Sequence, residues 1–168
     1  LYNFRYKAVS DSGEKCIGGA IIDITADKEK DLVIERMAYI DEVTQIYNRN
    51  KFMLMGNEIL ECTRDDSSID YWIIVFDIDN FHIINDTCGY ANGNLLLRKF
   101  ASALSVNVSE SGFAARIGGD NFALIVHTDG DDQLPVRIIK SVQADIADIG
   151  GMGLEAQNLT CSAGYCLM

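Results

Sequence analysis

The sequence predicts an α/β (α+β) domain, and its clearest signs are one apolar run, one hairpin and the amphipathic helices that alternate with them. Tyr71-Trp72-Ile73-Ile74-Val75-Phe76 is short and β-branched or aromatic nearly throughout, the pattern of a buried central strand. Residues 112–117 and 122–127 read as paired strands, with Phe113, Ala115, Ile117, Phe122, Leu124 and Val126 at the apolar positions. Between them, Gly118-Gly119-Asp120-Asn121 supplies turn chemistry, because glycine and Asn/Asp reach positive φ at little cost.

The other elements follow in chain order. Tyr2, Phe4, Tyr6 and Ala8 alternate with polar neighbours, Asp11-Ser12-Gly13-Glu14 makes a turn, and Ile17 to Ile24 is a second apolar run, so residues 1–25 read as a hairpin. Two strands alone are marginal, so this hairpin should belong to a larger sheet or pack on a partner. Residues 26–40 read as a connecting helix started by Thr25 or Asp27, with Leu32, Ile34, Met37 and Ile40 among charged residues. It is either a solvent-washed linker or one half of a parallel helix pair. A further helix is expected over 50–62. The strongest amphipathic helix covers 95–108, through Leu95, Leu96, Phe100, Ala103 and Leu104. Pro135 suits the opening of a helix through Ile149, which Gly150-Gly151-Met152-Gly153 breaks. A last strand is expected over 158–168.

With 48% hydrophobic and 23% charged residues, the composition is that of a globular protein. The net charge of −11 argues against a nucleic-acid surface and against contact with an anionic membrane. No apolar run approaches the roughly 18 residues of a membrane span. The five cysteines form no C-x-x-C pair or zinc-like cluster with the histidines, so free thiols in the cytoplasm are expected, with a membrane anchor elsewhere in a larger protein left open.

Asp77 ends a highly apolar strand, where a carboxylate needs water, a donor or a cation. Asp120 sits in the bare glycine turn. Either acid can be structural, a strand-end cap or a turn residue; together they can hold Mg²⁺ through hard oxygen ligands, with a backbone oxygen near Ile78 as a further ligand. Asp79 points to the other face or enters the loop, where it would cap the following helix. Asn94 can cap a helix starting at Leu95 or face a ligand, and Arg116 reads as a residue that braces the loop.

Several ordered motifs give these residues a family resemblance. Tyr39-Ile40-Asp41-Glu42-Val43-Thr44-Gln45-Ile46-Tyr47-Asn48-Arg49 resembles D-x-L-T-G-L-x-N-R, and the run from Phe76-Asp77-Ile78-Asp79 to Asn85-Asp86-Thr87-Cys88-Gly89-Tyr90 resembles F-D-I-D-x-F-K-x-I-N-D-x-x-G-H. With Gly118-Gly119-Asp120-Asn121-Phe122 and Leu159-Thr160-Cys161-Ser162-Ala163-Gly164, these resemble the GGDEF family of bacterial diguanylate cyclases over residues 41–168, C-terminally incomplete. The resemblance implies a nucleotidyl cyclase-like fold with a mainly antiparallel sheet flanked by helices. It also implies a homodimer that condenses two GTP molecules into cyclic di-GMP with Mg²⁺ or Mn²⁺. Asp77, Asp120 and Asn121 take the catalytic positions; Asp77, Ile78 and Asp120 the metal positions; and Asn85, Asn94, His82, Gly118 and Gly119 the substrate-binding positions. The hairpin followed by Asp23-Ile24-Thr25-x-x-Lys28 resembles the end of a PAS sensor domain.

This sequence departs from the family pattern at particular residues. Asn121 replaces the fourth signature acid, His82 a lysine, Tyr90 a histidine, and Asn94 the acid that contacts guanine. An amide supplies no charge and cannot act as a carboxylate base. The expectation is therefore a cyclic-dinucleotide signalling module with weak or no turnover, serving nucleotide binding or dimerisation beneath a sensor. The alternatives are an active diguanylate cyclase and a purely structural interaction domain.

Overall fold

The structure, a computed structural model, describes residues 2–11, 14–65, 70–108, 112–150 and 159–168, with side chains at 2, 22–63, 70–108, 112–147 and 159–168. The turn expected at residues 12–13, the helix breaker at 151–153 and the start of the last strand at 158 lie outside these residues. So do the side chains of the first hairpin between residues 3 and 21.

The chain divides into two compact units, Leu1–Ala38 and Tyr39–Met168. In the first, β1 (Tyr2–Asp11) and β2 (Glu14–Asp23) form an antiparallel ladder from Tyr2↔Asp23 to Asp11↔Glu14. Helix α1 (Thr25–Tyr39) follows. At its start the Asp23 carboxylate accepts the Thr25 N–H at 2.9 Å. An acid two residues before the helix thus reaches one of the first amides of the helix, which have no partner within it.

The second unit contains β3 (Tyr47–Asn48), α2 (Arg49–Asp65), β4 (Asp70–Ile78), α3 (Phe81–Cys88), α4 (Tyr90–Val108), β5 (Gly112–Gly118), β6 (Asn121–Thr128), α5 (Leu134–Gly150) and β7 (Cys161–Leu167). Its sheet has the order β3-β5-β6-β4-β7. The short β3 runs parallel to β5, and every other pairing is antiparallel. The fold is therefore α/β with a mixed, mainly antiparallel sheet flanked by helices.

Strand alternation sends Ile74, Phe76 and Ile78 of β4 and Phe122, Leu124 and Val126 of β6 to one face. Leu96, Leu97, Phe100 and Leu104 of α4 and Ile138, Val142 and Ile146 of α5 complete that core. Phe100 lies edge-on to Phe76 and Phe122, with ring centroids 6.0 and 4.7 Å away. On the other face, Gly56 of α2 comes close enough to β6 that an added Cβ would lie 3.4 Å from Ile125 Cδ1.

The apolar run Tyr71–Phe76 is central but not buried on both faces. Val75 is 49% exposed, because its neighbour on β7 is Gly164, which offers no side chain to cover it. That half-open strand leads to the candidate site.

Candidate nucleotide and metal site

Asp77 follows Val75 on the open face of β4, opposite Asn121 of β6 and Ser162 of β7. A two-residue turn, Gly119-Asp120, closes the β5–β6 hairpin between the paired Gly118 and Asn121. Gly119 has φ 57°, a left-handed conformation that most side chains would strain. The Asp120 carbonyl accepts the Ile78 N–H at 3.3 Å, which ties the turn to the end of β4. The sequence-predicted acids thus meet at one end of the sheet.

Their charges interact. The Asp77 carboxyl is pushed above the ordinary aspartate value of 3.8, first by partial loss of solvent and then by the negative charges of Asp120 and Asp79. A hydrogen bond from Asn121 opposes that shift. The Asn121 amide also lies 3.4 Å from Asp120 Oδ1, so it bridges acids that repel one another. A hollow of ≈ 210 Å³ beside them is lined by Val75, Asp77, Asn121, Ser162 and Gly164, among others. A larger hollow of ≈ 360 Å³, bordered by Gln45, Tyr47, Ser105 and Phe113, contains none of these acids.

Asp79 does not cap α3. Thr160 and Ser162 donate their hydroxyls to its carboxylate at 2.6 and 2.8 Å, which holds its pKa below the usual value. These hydroxyls approach because β7 pairs directly with the end of β4. The residue before α3 is instead Asn80, in the left-handed conformation with φ 57° and without a side-chain cap bond.

Asn94 does not cap a helix either. Gly89, with φ 83°, ends α3 and lets α4 restart at Tyr90, so Asn94 falls inside α4. Asn85 is half-buried on α3 and leans over Gly93, where an added Cβ would stand 2.0 Å from its Oδ1. Asn85 and Asn94 therefore flank one helix–helix contact, while His82 is exposed on α3.

Residues 38–168 match the family described as Diguanylate cyclase, GGDEF domain. The chain belongs to the GGDEF family. Its fold is similar to that of a crystal structure titled as the coiled coil and GGDEF domain of DgcB from Caulobacter crescentus in complex with c-di-GMP. The TM-score is 0.73 at 22% identity, covering 86% of this chain and 77% of that one. In sequence it is 35% identical over 106 residues to the signaling protein YkoW of Bacillus subtilis, covering 62% of this chain and 13% of that protein. It is 30% identical over 109 residues to the diguanylate cyclase DosC of Escherichia coli K12, covering 64% and 23%. The chain thus spans less than a quarter of the length of either relative.

Within this GGDEF domain, sequence reasoning understated the link between Asp41 and Arg116. Arg116 Nη1 lies 3.1 Å from Asp41 Oδ1, and its Nε and Nη2 donate to the Gly119 carbonyl at 2.9 and 2.6 Å. Arg116 and Gly119 are 3 positions apart, a spacing that signals a local brace, but Arg116 and Asp41 are 75 positions apart.

Among the described residues, no group of three or more His, Cys, Asp or Glu side chains is arranged to hold a metal ion. A carboxylate pair still suits Mg²⁺, which keeps several waters and is commonly bound through one or two carboxylates and substrate phosphates. Loss of solvent, then the negative charges of Asp120 and Asp79, raise the Asp77 carboxyl, and a divalent cation beside these acids would favour its charged form. Among the described residues no helix is long and apolar enough to cross a membrane.

Proposed function

We propose that this domain binds GTP with Mg²⁺ or Mn²⁺ at the Asp77–Asp120 end of the sheet and, paired with a second copy, condenses two GTP into cyclic di-GMP. The observation that carries this reading is the meeting of Asp77 and Asp120 beside a glycine turn whose bare backbone leaves room for phosphates. When bound, the metal would neutralise phosphate charge. Asp77 and Asp120 would hold it, with the Ile78 backbone as a further ligand. Gly118 and Gly119 would let phosphate oxygens approach the chain, Asn85 and Asn94 would read the base, and His82 would reach phosphate when protonated. Each 3′-hydroxyl would attack the α-phosphate of the other GTP, forming a phosphodiester and releasing pyrophosphate. The half-sites must therefore face each other across a homodimer.

The names of the similar proteins, several of them diguanylate cyclases, support this active reading over the weak turnover expected from the sequence. One observation favours the slower version. Asn121 binds its neighbouring acids as an amide and brings no charge to the metal, so it cannot serve as a carboxylate ligand or base. We further propose that residues 1–25 end a PAS sensor, that 26–40 is its signalling helix, and that 41–168 forms the cytoplasmic output domain. The activity is tested by incubating dimeric protein with GTP and Mg²⁺ or Mn²⁺ and resolving products by mass spectrometry. Cyclic di-GMP supports the cyclase reading. Nucleotide binding without product supports the regulatory one.

A further inference from the structure

We infer that Arg116 and Asp41 are positioning residues for the metal site, acting by fixing the peptide that carries Asp120. This rests on the reading of Asp77 and Asp120 as the metal site, and it adds residues that would touch neither metal nor substrate.

Gly119 lacks a Cβ and sits at φ 57°, so its own side chain does nothing to hold the backbone in place. Its carbonyl belongs to the peptide bond that leads directly into Asp120. Arg116 grips that carbonyl from Nε and Nη2 at 2.9 and 2.6 Å, which restrains the plane of this peptide.

Arg116 is itself held from the other side. Its Nη1 spans both Asp41 oxygens at 3.1 and 3.3 Å. The Thr44 N–H and hydroxyl donate to Asp41 Oδ1 at 2.8 and 2.7 Å, so the acid cannot swing freely. The Arg116 and Asp41 side chains are only 13% and 22% exposed, so water competes weakly for these bonds. The Asp41 carboxyl lies below its ordinary value despite the loss of solvent, because the Thr44 donors and Arg116 outweigh it.

The chemistry selects arginine. A planar guanidinium can bind a carboxylate with one nitrogen and a carbonyl with its others, whereas a lysine ammonium is a single point on a flexible stem. Asp41 lies only two residues beyond the end of α1, so the lead-in to the domain also anchors the turn that bears a metal ligand.

The test is Mn²⁺ binding to the 168-residue chain, without nucleotide, read from the free Mn²⁺ signal in electron paramagnetic resonance. Wild type is compared with Asp77→Ala, Arg116→Ala, Arg116→Lys and Asp41→Asn, below the melting temperature of each. Wild-type binding should depend on Asp77. Arg116→Ala and Arg116→Lys should weaken it on the order of 10-fold or more, the range seen when outer partners of metal ligands are removed. Asp41→Asn keeps the shape and should give a smaller loss. If wild type binds through Asp77 and both folded Arg116 variants bind equally well, the positioning role is overturned while the site stands. If Asp77→Ala binds like wild type, the site reading falls and this inference falls with it. Should Arg116→Ala fail to fold, Arg116→Lys and Asp41→Asn still decide the matter.

Discussion

Asp77 and Asn121 set opposing electrostatic demands at one strand end. The folded Asp77 carboxyl holds its proton to higher pH than in the unfolded chain. Between those values folding takes up a proton, so the Asp77 contribution to stability falls as pH rises above 3.8 and is fully unfavourable near neutrality. Asp77→Asn should therefore raise the neutral-pH melting temperature of the metal-free domain and abolish its Mg²⁺-induced increase. Melting curves with and without Mg²⁺ check both parts. Asp41 and Asp79 carry the opposite sign: their lowered values give stability present above 3.8 and lost on further acidification. Asn121→Glu should add charge to the metal site and raise Mg²⁺-dependent turnover, while lowering the melting temperature of the metal-free domain, because it removes the amide that bridges Asp77 and Asp120 and adds a third negative charge. Initial rates with GTP, alone and beside Asn94→Asp, measure this. Equal rates in wild type and Asn121→Glu would show that the amide is not what limits the chemistry.

At the scale of elements, the contact between α3 and α4 positions Asn85. Alanine ordinarily improves a helix over glycine by about 1 kcal/mol, but at Gly93 its Cβ would stand 2.0 Å from Asn85 Oδ1. Gly93→Ala should therefore lower both melting temperature and nucleotide affinity. Adding Asn85→Ala should restore stability without restoring affinity, as thermal melts and nucleotide titration would reveal. The hairpin and the strong helices were legible because their apolar period extends over many residues. The short β3 and the start of α4 were not, because Tyr47-Asn48 carries almost no pattern and the break at Gly89 depends on its φ of 83°. The reading of Asp79 as a helix cap failed for a different reason. Its real partners, Thr160 and Ser162, lie 81 and 83 residues away and meet it only through strand pairing.

Across the whole molecule, one core holds the sheet beneath the candidate site. Phe100 joins α4 to β4 and β6 with no exposed surface. Phe100→Ala should cost about 3–5 kcal/mol, read by denaturant unfolding, and should loosen both strands that deliver Asp77 and Asn121. The acids themselves were legible as residues, but their convergence follows from the antiparallel register of β4 and β6, Asp77 opposite Asn121. This sheet end is proposed to hold a metal–nucleotide complex. Calorimetric titration of GTP into wild type and Asp77→Ala, each with and without Mg²⁺, tests it most directly. Wild type should bind GTP in a Mg²⁺-dependent way, and Asp77→Ala should lose that dependence while remaining folded. Equal binding by both proteins, or none by folded dimeric wild type at millimolar GTP, would contradict it.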